Sequence, residues 1–490
     1  MNLITDPWIP VLRERGDDVI RPDQIAEPGV IAFNWPRHDL NLACIELLIG
    51  LVYLAAPPKD TADWRARSSD PDALRRAFAR LAPAFNLIGD GPLFMQDLEH
   101  LKGKRSNPDM LFIDSAGAST VEKNADLMVK GCRYPSLEFP MAAMALYTLQ
   151  AHAPSGGAGN RTSLRGGGPM VTLVRPAEAS ACPLWSLIWA NVPEGGALGA
   201  DQLSKLPWMR ATRTSKTGEV VEQPPSDHVP PEAFFGMPRR LRLVEEDGRI
   251  TGVIQTPWGT NYGLWRHPLT PYYAVKEGEK ILPKHPKPGG FAYRNWLGVL
   301  MEAPAGQSSP AYRAQTVADY AQRARFPDAS VLVAGWAMSN MTPLDFLWSE
   351  QPLFTLTPET SDVAAMMVSG ADLASGAMVA ALRDVQALNE TKGTRLAPER
   401  EGFYLATQAE FVASVSALAR GEASEKILAD WLVTLRRQVL SQFDSVALNG
   451  LADRDITPRG TSGFSLRPTA QRIIATRVRL LGTLNGRKIH

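Results

Sequence analysis

A change of character near Ser361 constrains this chain more than any other feature. From Pro7 to about Leu356 proline and glycine interrupt it every few residues, and short β-rich runs alternate with helical ones, the pattern of an irregular α+β body. Beyond Ser361 the punctuation thins and four helical segments follow, at 362–388, 407–419, 422–449 and 468–481, with Gly402, Gly421 and Gly450 near their boundaries. Four helices on short links predict a bundle. At 490 residues the chain exceeds the size of a single hydrophobic core. The expected fold is therefore α+β: a large irregular mixed α/β N-terminal domain over 1–360, then a C-terminal four-helix bundle over 361–490.

Within the first part, strands are expected at 170–175, 241–244, 252–255 and 330–334, and helices at 40–56, 72–88 and 140–152. The stretch 40–56 is the most apolar, but it carries Asn41 and Glu46, is barely of spanning length and stops at Pro57-Pro58. It reads as a buried core helix, and no membrane partner is expected. The N-terminus lacks the basic-then-apolar order of a secretory signal, and Cys44, Cys132 and Cys182 are dispersed and odd in number. A reducing, cytoplasmic location fits. With 52 Lys+Arg against 51 Asp+Glu, the net charge of +1 supplies no bulk field for a polyanion. Any nucleic acid must be held by local patches.

One such patch is the stretch 154–168, PSGGAGNRTSLRGGG, which follows a helical segment and precedes a strand. Glycine lacks a Cβ, so its N–H groups approach an anion or a base edge closely. Arg161 and Arg165 add charge, while Asn160, Thr162 and Ser163 add neutral donors. Neither the Walker nor the dinucleotide-binding glycine spacing is present. A flexible surface linker is the competing reading.

A second feature is the run 333–343, VAGWAMSNMTP, where a strand-like segment ends in a turn that projects Asn340 and Met341. Asparagine bonds base edges and an apolar neighbour wedges between base steps, although a plain β-turn accounts for the same residues. A third lies at the C-terminus, where no acidic residue follows Asp455 but Arg459, Arg467, Arg472, Arg477, Arg479, Arg487 and Lys488 do. This is either a solvated helix face or a phosphate-contacting one. No metal-ligand spacing and no nucleophile elbow is visible, so neither a metal, a cofactor nor a catalytic residue is expected.

These residues resemble the large subunit of the type I-E CRISPR surveillance complex (Cascade), the CasA family. The resemblance rests on the opening NLITDPWIPV from Asn2, on ALYTLQAHAPSGGAGNRTSLRGGGPMVTLV from Ala145 to Val174, on GMPRR from Gly236, on RHPLTPYY from Arg266 and on the turn from Gly335 to Met341. It implies the same two-part architecture, no enzymatic activity, and reading of the protospacer-adjacent motif (PAM) in duplex DNA from the minor groove. Carried over, the PAM loop falls on Ser155, Gly156, Gly157, Ala158 and Gly159, and the strand-separating wedge on Ser339, Asn340 and Met341. Arg161, Arg165, Arg472, Arg477 and Arg479 are the expected phosphate contacts, with Lys130 and Arg133 toward guide RNA or a neighbouring subunit. Implied partners are the other Cascade subunits, CRISPR RNA, double-stranded target DNA and a helicase-nuclease.

One piece of the family pattern is missing. No lysine lies between Lys216 and Lys276, so the family's lysine finger has no counterpart, and Arg249, Gln255 or Thr256 is the expected substitute. Two other readings of the chain stand beside this one: a stand-alone enzyme on a phosphorylated or nucleic-acid substrate, and a purely structural scaffold.

Overall fold

The computed structural model describes residues 1–117, 121–124, 129, 131–157, 159–177, 180–304, 309–324, 328–386, 396–448 and 467–485. They form two compact units, which are not consecutive stretches of chain. The first comprises Met1–Gly290, Gly298–Leu300 and Gln307–Leu353, and the second Phe291–Leu297, Met301–Gly306 and Phe354–His490.

At the centre of the first unit is α1 (His38–Ala55), buried at every position from Leu42 to Ala55. An apolar helix of this length is stable in water only when covered on all sides, and α4 (Phe139–His152) packs along it. Between them in sequence come α2 (Thr61–Ala66) and α3 (Pro71–Ala79), capped by the carboxylates of Asp60 and Asp70. The helix expected over 72–88 ends at Ala79, because Pro83 cannot continue the ladder and a short 3-10 turn at Ala82–Ala84 takes over.

Among the described residues the strands form four three-stranded sheets. β1 (Ile9–Arg13) lies between β2 (Gly16–Ile20) and β3 (Val30–Phe33), and β7 (Arg249–Thr256) between β4 (Arg105–Ser106) and β6 (Arg240–Glu246). β8 (Tyr272–Ala274) lies between β9 (Ile281–Pro283) and β10 (Ala311–Tyr312). The fourth places β11 (Ala329–Ser339) between β5 (Val171–Pro176) and β12 (Thr342–Leu353). Two further helices, α5 (Pro183–Ala190) and α6 (Gln315–Arg323), pack on β5.

The second unit holds four long helices: α7 (Pro358–Gln386), α8 (Ala397–Ala419), α9 (Ser424–Leu448) and α10 (Arg467–Leu484). Helix α7 packs against the other three. On α9 the buried residues Trp431, Leu435, Val439, Phe443 and Ala447 recur every four positions, a single helical stripe. Helix α8 begins ten residues before the expected 407, and Gly402 lies inside it rather than at a boundary. Burial of Phe403, Tyr404 and Phe411 outweighs the roughly 1 kcal/mol that an interior glycine costs. Tyr293 completes this core from the short segment Phe291–Leu297, stacked on Phe411 at 4.2 Å and sharing a hydrogen bond with Thr407 Oγ1 at 2.8 Å.

Candidate nucleic-acid interface

The glycine-rich stretch begins where α4 ends, and its base is fastened to α1. His152 Nε2 and Arg165 Nη2 lie 2.8 Å from opposite oxygens of Glu46, and all three side chains are buried. Burial works to raise the Glu46 carboxyl, but Arg165 and then His152 overcome it and hold it at about 2. Arg165 also donates to Thr270 Oγ1 and Ala151 O, and is only 2% exposed. It is therefore not a phosphate contact: the carboxylate that neutralises it is Glu46, which the sequence shows in the apolar helix but does not pair with Arg165.

Main-chain bonds close the neck of the loop, with Ser163 N donating to Ala153 O at 3.0 Å and Gly168 N to His152 O at 3.2 Å. Beyond the neck a tight turn forms the tip, in which Gly156 N donates to Asn160 O and Asn160 N to Gly157 O. Ser155, Gly156 and Gly157 are exposed, and Gly157 (φ +73°) has open space where a side chain would stand. Ala158 lies outside the described residues.

The three glycines that end the stretch have a different task. Strands β5 and β11 are antiparallel neighbours, with Val171 opposite Ala334, so β11 beyond Ala334 runs back alongside residues 170 to 166. A Cβ on Gly167 would lie 2.7 Å from Met341 Sδ, and one on Gly168 2.8 Å from both Met338 Cε and Trp336 O. The hairpin tip is thus seated on the neck of the loop.

That tip differs from the turn read in the sequence. Strand β11 continues through Gly335 to Ser339, and β12, which no periodicity announced, pairs with it along the whole length. Asn340 (φ +47°) and Met341 (φ +64°) are the two turn residues, both left-handed as a type I′ turn demands. Asparagine tolerates this; methionine does so at a cost. Met341 is nevertheless 42% exposed at the apex.

The finger candidates separate. Gln255, at the end of β7, donates from Nε2 to Asn160 Oδ1 in the loop tip, and Thr256 Oγ1 donates to Lys102 O at 3.4 Å. Arg249 begins the same strand, roughly 20 Å away at about 3.3 Å per residue. There it donates to Ser136 Oγ and Glu138 Oε1. It is not a substitute for a finger.

Just past β7, Trp258 N donates to Gly159 O at 2.9 Å, and the Arg161 guanidinium stands 5.6 Å from the Trp258 ring. Arg161 Nε donates to Ser215 Oγ at 2.8 Å, leaving its charge without a carboxylate among the described residues. Sequence reasoning missed Arg239, which precedes β6. It donates from Nη2 to Pro154 O, and a Cβ on Gly156 would lie 2.8 Å from its Nη1. Its motif, GMPRR, was visible; its position under the loop was not.

The remaining expected contacts are engaged elsewhere. Arg133 makes two bonds to Asp114, at 2.9 and 3.0 Å, and Lys130 lies outside the described residues. In the second unit Arg477 grips Asp444 at 2.7 and 2.8 Å, while Arg472 and Arg479 both pair with Asp384. These three are tied to carboxylates of α9 and α7 and are not free cations. Among the described residues no group of three or more His, Cys, Asp or Glu is arranged to hold a metal ion.

The chain has the fold of CRISPR-associated proteins of known structure. A CRISPR-associated protein from Thermus thermophilus superposes with a TM-score of 0.72 at 17% identity, covering 99% of each chain. Cse1 from Thermobifida fusca does so at 0.69 and 14%, over 99% of this chain and 98% of that one. A chain of a CRISPR RNA-guided surveillance complex in a pre-nicking state matches at 0.57 and 12%, over 99% and 98%. The sequence matches the CRISPR-associated protein Cse1 family over residues 2–442, and the chain belongs to that family, also called CasA.

Proposed function

We propose that this chain is the non-catalytic large subunit of a type I-E CRISPR RNA-guided surveillance complex, in which it reads the PAM of double-stranded DNA and starts strand separation. The observation that carries this reading is the seating of the Asn340-Met341 tip on Gly167, beside the exposed tip at Ser155, Gly156 and Gly157. A loop without side chains brings N–H donors to acceptors on the floor of a groove only about 6 Å wide. An apolar residue on a stiff hairpin next to it is suited to enter and unstack the adjoining base step. Gln255 and Thr256 border the same surface in place of a lysine finger, and Arg161 offers a phosphate contact. Partners in this reading are the other Cascade subunits, CRISPR RNA, and a helicase-nuclease recruited through the helical unit.

Replacing both Asn340 and Met341 with glycine tests the wedge cleanly, because glycine accepts their positive φ and leaves the hairpin intact. Strand opening, followed with a fluorescent base analogue next to the PAM, should fall more than duplex binding. Unaltered opening would remove the wedge from the mechanism.

A further inference from the structure

Arg165 and Arg239 are both buried arginines beneath the glycine-rich stretch, yet their surroundings differ. Arg165 has the Glu46 carboxylate at 2.8 Å. Arg239 is 6% exposed and has no carboxylate partner among the described residues. Its main chain is clamped by Gln150, which accepts from Arg239 N at 3.0 Å and donates to Arg239 O at 3.0 Å. Of its guanidinium donors, Nη2 reaches Pro154 O and the buried Nε has no partner. A buried cation without a counter-charge is among the costlier things a core can hold. Burial lowers the Arg239 pKa only to about 10, so the charge persists at neutral pH.

What lies above it is the exposed tip. Any side chain at Gly156 would collide with the guanidinium, and the residue there has none. The cation therefore sits directly under main chain whose outer surface faces solvent.

We propose that Arg239 is a phosphate-binding residue, the cation that neutralises one backbone phosphate of target DNA seated on the tip at Ser155, Gly156 and Gly157. It supplies from beneath the loop the positive charge that a chain without lysine from 217 to 275 cannot supply from a finger. The inference rests on the DNA-reading function proposed above and assigns its charge.

The test uses the full chain assembled with its partner subunits and guide RNA, and compares Arg239→Met, Arg239→Lys and the unaltered protein on PAM-bearing and PAM-scrambled duplexes across a salt series. Arg239→Met should weaken binding to the PAM duplex roughly tenfold, as loss of one charge-assisted contact does. It should also reduce the slope of log K against log salt by about 0.9, one duplex phosphate. Arg239→Lys should retain most of that slope. Because the substitution removes an unpaired buried charge, the melting temperature of the Met variant should equal or exceed that of the unaltered chain.

An unchanged slope, or a lowered melting temperature with normal affinity, would make Arg239 a loop prop and overturn the proposal. Loss of guide RNA or of subunit assembly in place of DNA affinity would overturn it equally, by assigning the charge to another polymer. Failure of the unaltered complex to distinguish the two duplexes sinks instead the DNA-reading function on which the proposal stands.

Discussion

Replacing Arg165 with methionine separates the role its sequence suggests from the one its position imposes. As a phosphate contact it would be expendable for folding. As the main partner of the buried Glu46 it is not, because its removal leaves only His152 beside a carboxylate at a site with no access to water. Breaking such a pair costs about 3–5 kcal/mol. With roughly 2 cal/mol/K of unfolding entropy per residue, a unit of about 340 residues shifts by about 1.4 °C for each kcal/mol. Thermal unfolding of Arg165→Met should therefore begin about 4–7 °C lower, and so should that of Glu46→Met, which leaves the arginine unpaired. The double variant should recover a large part of the loss, since two apolar side chains of similar volume replace two charges. Acid adds a second readout. The Glu46 carboxyl is depressed from 4.5 to about 2, so its stabilisation is complete above pH 4.5 and disappears as pH falls toward 2. Burial, and then repulsion from Arg165, holds His267 neutral, so folding begins to lose stability to acid even earlier, below the ordinary histidine range. Glu46→Gln should flatten the lower of these two limbs. Should Arg165→Met melt within about 1 °C of the unaltered chain while flattening the salt dependence of DNA binding, the buried pair would be the wrong account.

Gly167→Val should displace Met341 from its seat, since its Cβ would lie 2.7 Å from Met341 Sδ; weaker strand opening with near-normal DNA binding, measured in parallel, is the expected pattern. Gly157→Ala forces a side-chain-bearing residue to φ +73°, at about 1–2 kcal/mol, in a loop whose surroundings are open; PAM affinity should drop with little change in melting temperature. Arg477→Ala removes a pair that is partly exposed, so unfolding of the helical unit should shift by no more than about 1 kcal/mol, and the salt slope of DNA binding should not change.

Much of the architecture is written locally. Helical periodicity marks α9 within 422–449, a mostly apolar run ended by Pro57-Pro58 marks α1, and β-rich runs at 241–244 and 252–255 mark β6 and β7. Each depends on neighbours within a few residues, which is the range over which periodicity and φ preferences act. Boundaries failed where packing overrode propensity, as at Gly402, or where a proline intervened, as at Pro83.

The interface was legible only in its parts. Composition marked 154–168 as a single glycine loop, but pairing of β5 with β11 divides it into a solvent-facing tip and a seat for a hairpin some 170 residues away. The same long-range register brings Gln255 to Asn160, sends Arg249 to the opposite end of its strand, and buries Arg165 against a glutamate of α1. Residue types and their short-range spacing determined which elements form and which residues are candidates to meet DNA. Which arginine keeps its charge available was decided by the tertiary structure, because that depends on whether a carboxylate distant in sequence reaches the guanidinium first.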